Sequence, residues 1–456
     1  MSNRVEDFVR SLDERTEAMA NACTACGACA DACPTPGVIG LDDFDPERVT
    51  AGVRDLLAGR EAQEDAEVWA RSCCGSGSCL SVCPVDINPR FMLAMARRRL
   101  TSRDAAEHRR ASGKAAFQKM SRGVKILSRL SLPTELLARL SPSLSEAGNA
   151  PPDVVFYTGC NMLKTPHIGL LCLDTLDRLG LTYDVQGGPG ACCGILQTRT
   201  GDIETAGRQA LNTLDKLAAS RSAMVLSWCP TCQIQFGETM IPSYREMTGT
   251  AIDMTMFPVF LASRLEVLRP MLTRRVEKRV AIYEYAGELG VMEAVRALLD
   301  AVPGVEIVPM ETRAIGYTGI ALAPLGEYQR NTIKAALEEA ESKGVDTFVG
   351  IYHGDHREFA GHEHVRPFRV ANYMELVGAS MGLAHNDRFK ELKLMQDAHR
   401  ILAESMDMVE MHGLDTETVR DVIIGEMLGD QVPVSYTHLR AHETLTPISY
   451  AVFCLK

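Results

Sequence analysis

Five cysteines in the middle of the chain have the types and spacing to hold inorganic chemistry. Thirty-one residues separate Cys160 from the adjacent pair Cys192-Cys193, which Gly194 follows; 35 more lead to the turn Cys229-Pro-Thr-Cys232. Adjacent thiolates beside a glycine-rich loop, Gly187-Gly188-Pro189-Gly190, can reach different irons of one cluster or bridge two, whereas a cubane [4Fe-4S] cluster takes four thiolates. A structural zinc site or a set of buried thiols is the alternative for the same residues.

Among the elements that must position these cysteines, 153–159, 181–185 and 223–228 read as short buried strands. Each leads into one of the cysteine loops, and helical patterns over 165–179 and 203–219 lie between them. Strands alternating with helices pair in parallel through right-handed crossovers, so the three loops fall on one sheet edge.

Eight more cysteines lie nearer the start. Cys23-Thr-Ala-Cys26-Gly-Ala-Cys29-Ala-Asp-Ala-Cys33-Pro34 is the C-x2-C-x2-C-x3-C-P run of bacterial ferredoxins, whose fourth cysteine reaches the other of two clusters. The partner motif is Cys73-Cys74-Gly-Ser76-Gly-Ser-Cys79-Leu-Ser-Val-Cys83-Pro84, with Ser76 where a middle ligand belongs. Cys74, beside Gly-Ser-Gly, can supply the missing thiolate; otherwise the cluster is [3Fe-4S] or has a hydroxyl ligand. Cross-ligation assigns Cys23, Cys26, Cys29 and Cys83 to one cluster and Cys33, Cys73, Cys79 and Cys74 to the other.

Helical patterns at 1–22, 46–57 and 89–100 predict an α-helical ferredoxin-like domain over 1–110. Basic residues crowd 90–139, including Arg97-Arg98-Arg99, and 111–151 reads as a basic helical linker, either a docking face or a solvated connection. The first cysteine-bearing module then spans 152–270. A second of similar plan spans 279–385, with strands at 280–285, 305–310 and 347–352 and helices at 291–301 and 327–342. In it Tyr285-Ala-Gly, Tyr317-Thr-Gly and His353-Gly-Asp-His356 stand where the first module has cysteines, an internal repeat without thiolates. His353, His356, His362 and His364 form a local group suited to proton donation or a metal, with Tyr317 and Tyr352 as further donors. His167, near a helix start, reads as a capping or surface residue, with proton donation over the cluster site as the alternative, and Cys172 reads as a packed thiol. Two helices are expected over 386–433, one capped by Asp415. Residues 434–444 resemble a translated sequencing adapter, so 434–456, including Cys454, are set aside.

The 456 residues are 46% hydrophobic and contain 15 cysteines, with a net charge of −11. So many cysteines in a chain that starts without a signal-peptide core argue for ligands in a reducing, cytoplasmic setting rather than disulfides. The acidic balance disfavours nucleic acid, and the absence of an 18-residue apolar run leaves membrane association to a partner.

Cys160, Cys192, Cys193, Cys229 and Cys232 together resemble the CCG motif of heterodisulfide reductase B-type subunits, in which five such cysteines bind one non-cubane [4Fe-4S] cluster. The ferredoxin-type motifs resemble the C-type subunit, so residues 1–385 look like a fusion of the two. The resemblance implies an α/β multidomain fold and a catalytic role for the five CCG cysteines. It also implies two ferredoxin-type [4Fe-4S] clusters relaying electrons to the non-cubane one, and a thiol or disulfide substrate. Iron–sulfur subunits of glycolate, lactate and glycerol-3-phosphate dehydrogenases share the layout, which makes pure electron relay the alternative. No GxGxxG or P-loop follows a strand, so a flavin-containing or other electron-transfer subunit is the expected partner.

Overall fold

Strands without a polar face need helices on both sides, and the fold follows from that requirement. The structure is a computed structural model describing residues 3–41, 43–142 and 150–429. Its first sheet holds β1 (Val154–Gly159), β2 (Tyr183–Gly187), β3 (Val225–Ser227) and β4 (Met254–Met256), all parallel in the order β2-β1-β3-β4. Every residue of β1 is buried, as a central parallel strand requires. Its side chains alternate between two cores: Val154 and Phe156 enter one, Val155 and Tyr157 the other.

The second sheet holds β5 (Lys278–Ile282), β7 (Val305–Ile307), β9 (Thr347–Gly350) and β10 (Arg369–Asn372), again parallel. Its order, β7-β5-β9-β10, repeats that of the first sheet strand for strand. The expected strand over 280–285 is interrupted at Tyr283, whose buried ring meets Phe359 edge to face with centroids 4.9 Å apart. Beyond it, β6 (Glu284–Tyr285) pairs instead with β8 (Arg313–Ala314). The buried Glu284 carboxylate explains the departure, because it meets Arg296 and, at 3.2 Å, Arg313; a buried charge needs such partners.

The two sheets meet across a shared core in which Phe156, Leu171, Trp228 and Phe257 pack with Val280, Phe348 and Tyr373. Trp228 stacks on Tyr373 with centroids 5.8 Å apart. On the other face of the first sheet, Phe8 and Leu12 of the helix Asn3–Ala22, Trp69, and Phe91 of the helix Pro89–Thr101 close over Val155, Tyr157 and Phe236. The N-terminal helices and the first sheet therefore share one core. Each fully buried large apolar side chain contributes about 1.5–3 kcal/mol.

In the segment read as a basic helical linker the helix Ala106–Ser131 begins early and packs on the chain rather than standing in solvent. Its Ile126, Leu127 and Leu130 pack against Phe389, Leu392, Ile401 and Val419 in a third core. Four short helices, Arg388–Leu394, Ala398–Glu404, Met406–Met411 and Thr416–Val422, stand where two were expected. Asp415 caps the last, accepting from Thr418 N at 2.8 Å. Residues 143–149 and the adapter-like 434–456, with Cys454, lie outside the described residues. No helix among the described residues is long and apolar enough to cross a membrane.

Candidate metal centres

Because β1, β2 and β3 are parallel, the chain leaves all three at the same sheet edge, carrying Cys160, Cys192-Cys193 and Cys229 there. Two glycines permit the close approach. Gly159 has φ +68, and a Cβ there would lie 3.2 Å from Cys229 Cβ and 3.4 Å from Cys232 Sγ. Gly194 has φ +81, and its Cβ would lie 2.6 Å from the carbonyl oxygen of Ala206. Only glycine occupies such positions without strain.

Cys193 Sγ and Cys232 Sγ are 3.5 Å apart, and Gly194 N–H donates to Cys192 Sγ at 3.4 Å. Cys192, Cys193 and Cys232 are buried; Cys160 and Cys229 are partly exposed. Burial, followed by the charges of Cys193 and Cys229, pushes the Cys160 thiol up to about 12. Hydrogen bonds from Cys192 and then Cys232 hold Cys193 well below the usual thiol range, and the same contacts raise both donors. Five thiols crowded in this way cannot all ionise unless a cation compensates them, so the donor set fits a soft, iron-based group.

The ferredoxin-type cysteines separate into two groups. Cys23, Cys26, Cys29 and Cys83 line one hollow with Thr24, Pro84 and Met92. Burial first, then Cys23 and Cys26, push Cys29 up to about 11. Cys33, Cys73, Cys74 and Cys79 lie together in the other group, their charges acting on one another. Burial carries Cys73 to about 11. The indole of Trp69 donates to Cys33 Sγ at 3.3 Å, and Cys74 Sγ lies 3.4 Å from the Thr35 hydroxyl. Ser76 is buried, and its hydroxyl accepts from Ser78 N at 3.4 Å. Cys172 is fully buried in the core between the sheets.

Between the second cysteine motif, the Cys229 turn and the second module lies a cavity of about 310 Å³, lined by Cys73, Arg97, Arg199, Thr231, Gln235 and Tyr317 among others. Gln235 opens a π-helical turn, Gln235–Met240, the kind of helix irregularity common at functional sites. Neither Arg97 nor Arg199 has a hydrogen-bond or carboxylate partner among the described residues. Arg90, by contrast, is buried and braced by Glu238 at 2.5 Å, Glu288 at 2.6 Å and the Gly75 carbonyl at 3.1 Å.

The basic run is thus used largely within the chain: Arg98 pairs with Asp13, Arg103 with Glu67 and Arg139 with Asp174. Within so conspicuous a run of charge, nothing in the sequence marks Arg90 and Arg97 as the residues that turn inward.

In the second module, Tyr317 and Tyr352 are buried within range of the Cys229 charge. The histidines of 353–364 part company. Burial holds His353 down to about 3 and His362 to about 4, while His356 turns to face His167 across 5.2 Å between ring centroids. His167 is fully buried rather than at the surface.

Residues 22–87 match the 4Fe-4S dicluster domain family, and residues 154–237 match the cysteine-rich CCG domain family. The chain therefore joins an iron–sulfur dicluster module to a cysteine-rich module, the make-up of an oxidoreductase-type iron–sulfur subunit. A 202-residue stretch, 43% of this chain, is 26% identical to the B subunit of the fumarate reductase (CoM/CoB) of Methanothermobacter marburgensis. The match spans 39% of the length of that relative. Over that stretch, then, the chain is similar to a subunit of a reductase.

Proposed function

We propose that the chain is the subunit of a heterodisulfide reductase-like complex at which electrons meet a thiol or disulfide. Cys23, Cys26, Cys29 and Cys83 hold one [4Fe-4S] cluster; Cys33, Cys73, Cys74 and Cys79 hold a second. Cys160, Cys192, Cys193, Cys229 and Cys232 hold a non-cubane [4Fe-4S] cluster. Bound there, these groups supply one-electron steps and a site for sulfur. A separate electron-transfer subunit, flavin-containing in the simplest case, delivers or removes the electrons.

The observation that carries this reading is the cavity, whose lining includes Cys73 of the second motif, Thr231 of the Cys229 turn and the guanidinium groups of Arg97 and Arg199, neither with a hydrogen-bond partner among the described residues. Arg97 and Arg199 bind and orient the anionic end of a substrate. The neighbouring phenols of Tyr317 and Tyr352, raised by burial above the usual range, stay protonated and can give a proton to a departing thiolate. The CoM/CoB pair in the relative's name supports thiol handling. A pure relay subunit has no use for such a cavity, which disfavours the flavin-dehydrogenase alternative. The second module, with tyrosines at the corresponding loops, leaves one such cluster rather than two.

The test is EPR of the anaerobically purified complex during titration with anionic thiols and disulfides, alongside iron and sulfide counts. A substrate-dependent signal that disappears in Cys193→Ser is expected. An unchanged spectrum at saturating thiol refutes the reading.

A further inference from the structure

Away from the cysteines, four elements distant in sequence bring His167, His356, Glu375 and Asp387 together, with one ligand atom from each lying within 4.8 Å of the others. His167 opens the helix Pro166–Arg178, seven residues after Cys160, and His356 lies on the helix His353–Phe359. Glu375 is in the first turn of Tyr373–Met381, and Asp387 caps Arg388–Leu394. Both rings are buried, at 1% and 0% exposure, yet His167 Nε2 and His356 Nδ1 have no hydrogen-bond partner. A buried polar nitrogen left in that state costs about 1–3 kcal/mol.

Both orphaned nitrogens face the same atom, Glu375 Oε1, at 3.6 and 3.7 Å. That is too long for a hydrogen bond. It is close to the spacing of about 3.3 Å that two ligands adopt around a tetrahedral ion with bonds of about 2.0–2.1 Å. The opposite nitrogens face Asp387: His356 Nε2 lies 2.6 Å from Oδ2 and His167 Nδ1 3.4 Å from Oδ1. A carboxylate behind each imidazole is the outer arrangement that fixes tautomer and aim in metal-binding histidines.

From this geometry we propose that His167 Nε2, His356 Nδ1 and the Glu375 carboxylate bind one divalent transition-metal ion, zinc fitting best. Asp387 orients both rings, and a fourth coordination position is left for water. Two imidazoles and one carboxylate form a borderline-soft donor set of the kind zinc takes with three protein ligands. The ion clasps the first module to the second and to the C-terminal helices, on the helix that starts just past Cys160. The site is independent of the cysteine assignments.

Full-length protein is purified anaerobically from zinc-supplemented cells, with metals counted and the zinc environment read by X-ray absorption. About one zinc per chain with a nitrogen- and oxygen-only shell and an imidazole signature is expected. No zinc above trace, or zinc with sulfur neighbours as it would have in the cysteine sites, overturns the proposal. H167N and H356Q should lose the zinc with iron unchanged, and D387N should weaken zinc binding 10–100-fold in chelator competition. If the histidine variants also lose iron through misfolding, the wild-type absorption spectrum alone decides.

Discussion

Substituting Gly194 with alanine tests the geometry of the thiol-rich edge directly. The residue sits at φ 81, ψ 4, a left-handed conformation that costs an L-residue about 1–2 kcal/mol. The new Cβ would also lie 2.6 Å from the Ala206 carbonyl oxygen and 3.0 Å from Ala206 Cα. Those are backbone atoms of the helix Ile203–Ala219, which cannot swing aside as a side chain can, so overpacking adds about 1–3 kcal/mol. Gly194→Ala should therefore destabilise by about 2–5 kcal/mol and displace Cys193 from Cys232. Gly190, four residues earlier, has no positive φ and nothing within 4 Å of a Cβ, so Gly190→Ala is the matched control. Iron and sulfide per chain and the urea midpoint of the visible absorbance are the measurements. The control should match wild type, while Gly194→Ala should lose about four irons, those of one [4Fe-4S] group, and unfold at lower urea. Wild-type iron content and midpoint in Gly194→Ala would refute the reasoning.

Other outcomes follow from neighbouring contacts. Trp69→Phe removes the indole N–H from Cys33 Sγ. A change of about 0.5–1 kcal/mol in that bond between redox states should lower one cluster's potential by roughly 20–40 mV in an EPR-monitored titration. Arg90→Met strands the largely buried Glu238 and should cost about 3–5 kcal/mol by urea midpoint, partly restored in Arg90→Met/Glu238→Leu; equal losses in the single and double variants would sink this. Arg97→Ala and Arg199→Ala should raise the concentration of anionic thiol needed for an EPR response at least tenfold, with iron content unchanged, provided each guanidinium contributes about 1.4 kcal/mol. Burial holds folded His353 down to about 3, against an ordinary 6.5. Below pH 6.5 the unfolded chain takes up the proton that the folded one refuses, so stability falls as pH drops. Between pH 6.5 and 5.5 the loss is about 1 kcal/mol, and His353→Phe should remove it.

Periodicity made much of this architecture legible. The run Val154 to Gly159 is apolar on both faces and unmistakable as a central strand, and the cysteine spacings marked the loops. The edge strands β4 and β10 escaped because Met254-Thr-Met256 is too short to show alternation and Arg369-Val-Ala-Asn372 begins with charge. The helix over Ala106–Ser131 was legible but its packing was not, because its arginines and lysines drew attention from the buried stripe of Val124, Leu127 and Leu130. No local signal could pair His167 with His356, because 188 residues lie between them and only the packing of two modules brings the rings together. The meeting of Arg97 and Arg199 at one cavity escaped for the same reason, since a space bounded by three parts of the chain leaves no trace in any one of them.

The hydrophobic interior shared by the N-terminal helices and the first sheet has a kinetic meaning. Phe8, Trp69 and Phe91 lie against Tyr157 and Phe236, and Arg15 and Arg90 reach across to Glu238, so parting the two halves would expose aromatic surface to water and break buried polar contacts. A hinge between them would carry that cost at every opening, which disfavours any change in the spacing of the thiol groups once the chain has folded.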